Sequence, residues 1–492
     1  MLRPSLTPEE FAALVDGLRA QPRETQWLEF KENFSDPNGI GEYISALSNS
    51  AVLVKAPRAY LVWGLEDSTH DIVGTTFDLK AAKKGNEDLE NWLVRLLDPQ
   101  PSYQYMREAI DGKYVAVLEI NAASHRPVRF NGMESIRLGS YTKKLQDHPE
   151  LERQLWRNLD ATPFELGLAA DGLDSSEVLQ LIDYTTYFDL VDKPLPVGST
   201  QVLKALQSAR IIEQQLSGRW GITNVGALLF AKRLADFDSL ARKAPRVIRY
   251  HGNNRVQTQR EQVGTKGYAS GFTGLIDYID GLVPANEVIG KALRETVSMY
   301  PPLAVRELIA NALIHQDFAA TGTGPMFELF DDRFEISNPG VPLIDPGRFV
   351  DAQPQSRNEK LAWMMRQCHI CEERGTGWDK IGFEIEFNQL PAPVIRTTDS
   401  HTTVVLFGHK PLSKMDREDR IRAVYLHACL RYVIHEDTTN SSVRERFGIE
   451  AKNAATATRY ITEALAANVI VARDPAAGRK NMSYIPAWAA EE

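Results

Sequence analysis

The sequence runs to 492 residues, 43% of them hydrophobic and 25% charged, the balance of a soluble globular chain too long for one ordinary domain; three or four are expected. A formal charge of −9 and a pI near 5.7 exclude a protein that coats duplexes by overall positive charge, so any nucleic-acid contact must be a local patch. No apolar run approaches the roughly 18 residues that cross a bilayer, the first residues (Pro4, Glu9, Glu10) do not read as a signal peptide, and three cysteines make no disulfide framework; a cytoplasmic location without a membrane partner is expected.

In chain order, Thr7 followed by Pro8, Glu9 and Glu10 starts a helix whose apolar stripe is Phe11, Leu14, Val15 and Leu18. The next stretch, Glu24 to Asp67, carries the acids Glu24, Glu29 and Asp67 with Lys31. Glu29 and Phe30 lie in one short strand and Ala59 to Trp63 form another, while Ile40, Tyr43, Ile44 and Leu47 recur at helical spacing between them. The two strands are expected to share a sheet and bring their ends together, where acids can converge on one cation. By spacing alone, a Glu beside a Lys on a strand is more often a solvated face, and an Asp after a strand more often a turn residue, than members of a joint site. Glu24 and Glu29 are an odd number of residues apart, so Glu24 must precede the strand or a bulge must intervene.

Tyr114 to Asn121 reads as a third strand. Between His125 and Lys144 stand Arg126, Arg129, Arg137, Lys143 and Lys144 against the single acid Glu134, with Phe130 and Tyr141 interleaved. This is either a strip for a nucleic-acid backbone with bases stacking on rings or a solvated hairpin.

These stretches together resemble the Schlafen-type AlbA domain: the run Glu24 to Lys31, the helix ending Ala46-Leu47-Ser48-Asn49-Ser50, the strand into Gly64-Leu65-Glu66-Asp67, and Ser135 to Thr142. The resemblance covers about residues 20 to 150. It implies that Glu24, Glu29 and Asp67 match the two glutamates and aspartate of a metal-dependent RNA-cleaving site holding Mg²⁺ or Mn²⁺. Lys31 would then neutralise charge on the scissile phosphate, and structured RNA, with tRNA a candidate, would be the substrate. Many bacterial proteins with this domain are described only as nucleic-acid binders.

After Trp156 the character shifts. Asp174-Ser175-Ser176-Glu177 reads as a capping box, Lys193 to Gly198 as a stiff turn, and Val202 to Ile212 as a helix. Trp220 to Ala231 looks like the connector found in bacterial proteins that pair an AlbA-type domain with a divergent ATPase domain.

Glu307, Asn311 and His315 fall at intervals of four on one helix face. Phe334 to Pro342, with Asn338 and Gly340, and Glu372 to Ile381, with Gly375 and Gly377, follow in order. The ordered triple resembles the GHKL-type ATPase domain in the divergent form that accompanies Schlafen-like AlbA domains, over about residues 295 to 410. It implies ATP, with Asn311 holding the Mg²⁺ that bridges phosphates, Glu307 orienting a water, and Gly375 and Gly377 letting backbone amides approach phosphate. Cys368 and Cys371 are spaced as a metal pair with no second pair, which points to packing. From about Asp416, helix, turn, helix and a strand at Val469 to Asp474 suggest a winged helix, whose candidate recognition helix offers only Lys452, Arg459 and Thr456 or Thr458 as nucleic-acid contacts, so protein pairing stands level with DNA binding.

The expected architecture is therefore an α+β multidomain chain. Its parts are an AlbA-like α+β domain at 1–155, a connector at 156–290, a GHKL-like α/β sandwich at 291–412 and a winged helix at 413–492. The expected function is an ATP-binding, nucleic-acid-binding homo-oligomer acting as a metal-dependent endoribonuclease under nucleotide control, with a place in phage defence. The alternative is a nucleotide-responsive, DNA-binding transcriptional regulator without cleavage. No Gly-x-x-x-x-Gly-Lys-Ser/Thr loop is present, so an ATP-driven helicase is set aside.

Overall fold

The structure, a computed structural model, describes the chain except residues 1–5, 22–24, 102, 125, 162–163, 216–217, 284, 290–293, 372–376, 479–480 and 491–492. It is a mixed α+β chain that divides into two compact units, residues 1–178 with 212–223 and residues 179–211 with 224–492. The stretch expected to be a connector contributes to both.

In the first unit, α1 (Pro8–Arg19) starts at the Thr7 capping box, in which the Thr7 side chain accepts from Glu10 N and Glu10 reaches back to Thr7 N. β1 (Leu28–Lys31), α2 (Pro37–Leu53) and β2 (Arg58–Trp63) follow as expected. β1 lies parallel to β2, with Glu29 opposite Leu61 and Lys31 opposite Trp63. β3 (Tyr103–Ile110) and β4 (Lys113–Asn121) complete an antiparallel extension in the order β1-β2-β4-β3.

The period of two along β2 sorts its side chains onto two cores. Tyr60 and Val62 join Phe11, Leu14, Val15 and Leu18 of α1 with Leu28 and Phe30. Ala59, Leu61 and Trp63 join Ile40, Ile44 and Leu47 of α2. Glu29 and Lys31, out of phase with Leu28 and Phe30, thus point to the α2 side. A second small sheet holds β5 (Met133–Leu138) and β6 (Tyr141–Lys144), paired in an antiparallel hairpin.

The second unit is built on a six-stranded sheet in the order β8-β7-β9-β10-β12-β11. Its strands are β7 (Arg246–Tyr250), β8 (Thr258–Val263), β9 (Met326–Leu329), β10 (Arg333–Pro339), β11 (Val394–Thr397) and β12 (His401–Phe407). α3 (Pro302–Ile314) packs on β10 and on α5 (Gly377–Phe387), with α4 (Glu359–Gln367) between them in sequence. The chain ends with α6 (Arg417–Val433), α7 (Asn440–Arg446), α8 (Ala454–Ala466) and a two-stranded antiparallel ladder, Ile470–Ala472 with Tyr484–Pro486. Val424, Val443, Tyr460, Ile461 and Ile470 close their common core.

One expected helix is shorter than read. It spans Ser199–Ser208, and Ile212 begins a strand instead. Arg210 adopts a left-handed φ of 59°, which ends the helix before the apolar pair Ile211-Ile212. No helix among the described residues is long and apolar enough to cross a membrane.

Candidate nucleotide and nucleic-acid sites

In the first unit the acids meet cations. Lys31 Nζ stands 2.8 Å from Glu29 Oε1 and 3.7 Å from Asp67 Oδ2. The other Glu29 oxygen accepts from the Arg137 guanidinium. Glu29 and Arg137 are both almost fully buried, with 2% and 1% of their side chains exposed, whereas Asp67 is exposed. Tyr43 on α2 lies under both cations, 5.6 Å from Lys31 and 5.5 Å from Arg137. Burial works to lower the Lys31 pKa, but the hydrogen bond and charge of Glu29, helped by Asp67, outweigh it and raise the group above its ordinary value.

Two features build this arrangement. Gly64, at φ +92°, turns the chain out of β2 with its N–H 2.7 Å from Lys31 O; a Cβ there would stand 2.8 Å from Tyr114 O. The polar residues of buried α2 hold the Arg137 strand in place. Asn49 donates to Val128 O and Ser135 O at 2.8 and 2.9 Å and accepts from Val128 N at 2.7 Å. Ser50 Oγ accepts from Arg137 N at 2.7 Å. Sequence reasoning did not assign these α2 groups a role, although four polar side chains crowded into Ser45 to Ser50, among the apolar Ile44, Ala46, Leu47, Ala51 and Val52, are the signal.

A metal ion does not fit the described residues as they stand. Both Glu29 oxygens are taken by cations, and the Lys31 ammonium occupies the space between Glu29 and Asp67. Among the described residues no group of three or more His, Cys, Asp or Glu could hold a metal. Glu24 lies outside the described residues. Cys368 and Cys371 sit in packed surroundings, where burial pushes their thiols up to about 12 and about 11.

The basic strip is divided. Arg137 belongs to the buried pair above; Arg126 is held by Asp98 at 2.6 Å and Arg129 lies 3.8 Å from the same carboxylate. Lys143 and Lys144 are exposed on β6 beside Tyr141, which is 70% exposed.

In the second unit a cavity of about 600 Å³ opens between α3, β10 and α5. Glu307, Asn311, His315, Asn338 and Gly377 all line it, together with the basic side chains Arg357, Lys360, Arg366 and Lys380 and the apolar Ile336, Val341, Leu343, Ile344 and Trp378. Gly377 is a close approach: a Cβ would meet Glu307 Oε2 at 3.3 Å and Asn311 Nδ2 at 3.7 Å. Gly375 lies outside the described residues. Gly340, at φ +106°, does not line the cavity; a Cβ there would stand 2.5 Å from a nitrogen of Arg357, which does. Asn338 directs its Nδ2 to the carbonyls of His315 and Pro339, at 3.4 and 3.1 Å. His315 faces the cavity; burial, with the nearby Arg357 charge, pushes its imidazole down to about 4 and keeps it neutral at physiological pH.

The lining of this cavity suits a nucleotide. Four cations suit a polyphosphate, apolar walls suit a base, and the missing side chain at Gly377 leaves room beside Glu307 and Asn311.

Residues 24–146 match the family model described as Schlafen, AlbA_2, and residues 322–406 match the one described as Putative ATP-dependent DNA helicase recG C-terminal. Among solved structures, the DIP2311 protein of Corynebacterium diphtheriae is similar at 17% identity, over 98% of both chains, with a TM-score of 0.43. No curated protein matches. The chain thus carries a Schlafen AlbA_2 domain at its N-terminal end and, further along, an ATPase-like domain of the recG C-terminal kind.

Proposed function

We propose that this chain is an ATP-responsive nucleic-acid-binding protein. ATP occupies the cavity between α3, β10 and α5, with Asn311 oriented to hold Mg²⁺, Glu307 to orient a water and the surrounding cations to take the phosphates. Mg²⁺ supplies charge neutralisation of the phosphates when bound. The exposed Lys143, Lys144 and Tyr141 contact a nucleic-acid backbone and stack on a base. The observation that carries this reading is the cavity, which gathers residues from three distant stretches around a glycine that leaves it open. The description of the second matched family names a DNA helicase, but the absent phosphate-binding loop argues against motor activity here.

Binding of a fluorescent ATP analogue tests it. Wild type is expected to bind, and Gly377→Val, which fills the space beside Glu307 and Asn311, is expected to lose at least about tenfold in affinity, about 1.4 kcal/mol. Equal binding by both would overturn the site.

A second reading, metal-dependent cleavage of structured RNA by Glu24, Glu29 and Asp67, is supported by the convergence of Glu29 and Asp67 on Lys31. Binding without cleavage is favoured because that ammonium takes the position a metal would need. Incubation of labelled tRNA and of single-stranded and duplex DNA with Mn²⁺ separates the two. Retention without cutting is expected. Cutting that EDTA and Asp67→Asn both abolish would establish the nuclease; Asp67 is the informative position because it is exposed and its substitution leaves the buried pair intact.

A further inference from the structure

The segment from Val341 to Arg357 runs as a strap along the cavity and lines it with Leu343, Ile344 and Phe349. At its centre is one turn of 3-10 helix, Pro346–Arg348, capped by Asp345, whose carboxylate accepts from Gly347 N at 2.8 Å. Phe349 lies 5.0 Å from Trp378, ring to ring. The outer side of this turn is fastened to the C-terminal helices. Tyr425, on α6, donates its hydroxyl hydrogen to Gly347 O at 2.6 Å, and Trp488 donates Nε1–H to the same hydroxyl at 3.1 Å. The Arg348 guanidinium lies 4.6 Å over the Trp488 ring. The fit is close: a Cβ on Gly347 would stand 3.3 Å from the tyrosine oxygen.

The opposite wall is fastened to the same helices. α5, which begins at the cavity with Gly377, ends near Glu386, and that carboxylate is held by His427 Nδ1 of α6 at 3.0 Å and by Arg446 Nε of α7 at 3.2 Å. Two walls of one cavity are therefore tied to one helical module. Packed contacts of this kind shift as units rather than yielding continuously.

We propose that Tyr425 and Trp488 are positioning residues of the nucleotide cavity: through Gly347, Arg348 and Phe349 they hold the strap against it, so that the state of the C-terminal helices sets nucleotide affinity. The proposal rests on the reading that the cavity binds ATP. Neither residue lines the cavity. By reciprocity, whatever engages the C-terminal helices changes nucleotide affinity, and nucleotide changes that engagement by the same factor.

The test uses the full chain and a fluorescent ATP analogue, measuring affinity and release rate alongside the melting temperature with and without nucleotide. Tyr425→Phe keeps the ring and removes the hydroxyl. It is expected to weaken binding about five- to tenfold, the effect of one lost hydrogen bond to an ordered strap, mainly through faster release. Trp488→Phe keeps a ring for Arg348, removes only the Nε1–H donor and is expected to act in the same direction. A Tyr425/Trp488 double variant is expected to fall short of the sum, because the two bonds form one chain. Glu445→Gln, at an exposed position of α7 in the same module, serves as the reference.

A purely structural role would lower the melting temperature without nucleotide and leave release unchanged; that result overturns the proposal. Wild-type affinity in both Phe variants overturns it too, and leaves the nucleotide reading standing. Failure of wild type itself to bind overturns the nucleotide reading and the positioning role with it.

Discussion

Arg137 and Glu29 form a pair from which water is nearly excluded, so each offsets much of the other's cost of burial, with Lys31 beside Glu29 and the Tyr43 ring beside Arg137. Glu29→Gln leaves two cations with a neutral partner in a buried site and is expected to lower stability by about 3 kcal/mol or more. Asp67→Asn, at the exposed end of the same cluster, is expected to change it by less than about 0.5 kcal/mol. Urea unfolding of the two variants checks this, and a larger loss for Asp67→Asn would put the weight of the cluster on the outer carboxylate. Sequence spacing made Glu29, Lys31 and Asp67 legible, because two short strands bracket one helix. It assigned Arg137 to a nucleic-acid strip instead. Its acidic partner lies 108 residues away, and no local pattern distinguishes a buried arginine from a backbone-binding one. His315 carries a pH signature of its own. Its imidazole is pushed down to about 4, below the unfolded value of about 6.5. The unfolded chain therefore takes the proton first, and the group's contribution to stability is full above pH 6.5 and declines as pH falls toward 4. His315→Gln is expected to flatten that part of the stability curve, which denaturant midpoints from pH 4 to 8 would reveal.

At the scale of elements, α2 joins the β1-β2-β4-β3 sheet to the small sheet that holds β5 and β6. Its apolar residues face β2 and β4, and its polar run at Ser45, Ser48, Asn49 and Ser50 hydrogen-bonds the backbone between Asn121 and Arg137. Asn49→Ala would remove the acceptor of the buried Val128 N–H and one donor each from Ser135 O and Val128 O, the latter keeping Ser45 Oγ, so a loss of about 2 kcal/mol is expected. If thermal melting instead showed a loss under about 0.5 kcal/mol, the strand carrying Arg137 would have to be held by other contacts. Several strands and helices were legible from alternation, caps and helical spacing, as at Thr7 and at Ala59 to Trp63, whereas Tyr103–Ile110 and most strands of the six-stranded sheet were not read. The helix read through Ile212 was not, because the apolar run Ile211-Ile212 continues the helical pattern while Arg210 leaves it through a backbone conformation that residue type does not announce. That Glu307, Asn311, His315, Asn338 and Gly377 gather around one cavity was legible as three motifs in order. Its strap was not, since Tyr425 and Trp488 reach it from parts of the chain that carry no nucleotide motif.

For the molecule as a whole, the proposed nucleic-acid and nucleotide sites lie in different compact units, and an ATP response requires that one binding event change the other. Linkage makes this measurable in both directions: if ATP alters nucleic-acid affinity by some factor, nucleic acid must alter ATP affinity by the same factor. Two bodies with separate cores are also expected to melt in two steps. Nucleotide at a hundred times its dissociation constant stabilises the body that binds it by about 2.7 kcal/mol, so calorimetry with the ATP analogue is expected to raise one step strongly. Gly377→Val, which fills the cavity, is expected to abolish that rise and leave the other step in place. The decisive comparison is ATP affinity with and without saturating tRNA. A change of about fivefold or more, matched by the reverse titration, establishes a coupled, ATP-responsive binder. Equal affinities in both titrations would mean that the two bodies bind their ligands independently, and the regulatory part of the proposed function would fail while each binding site remained.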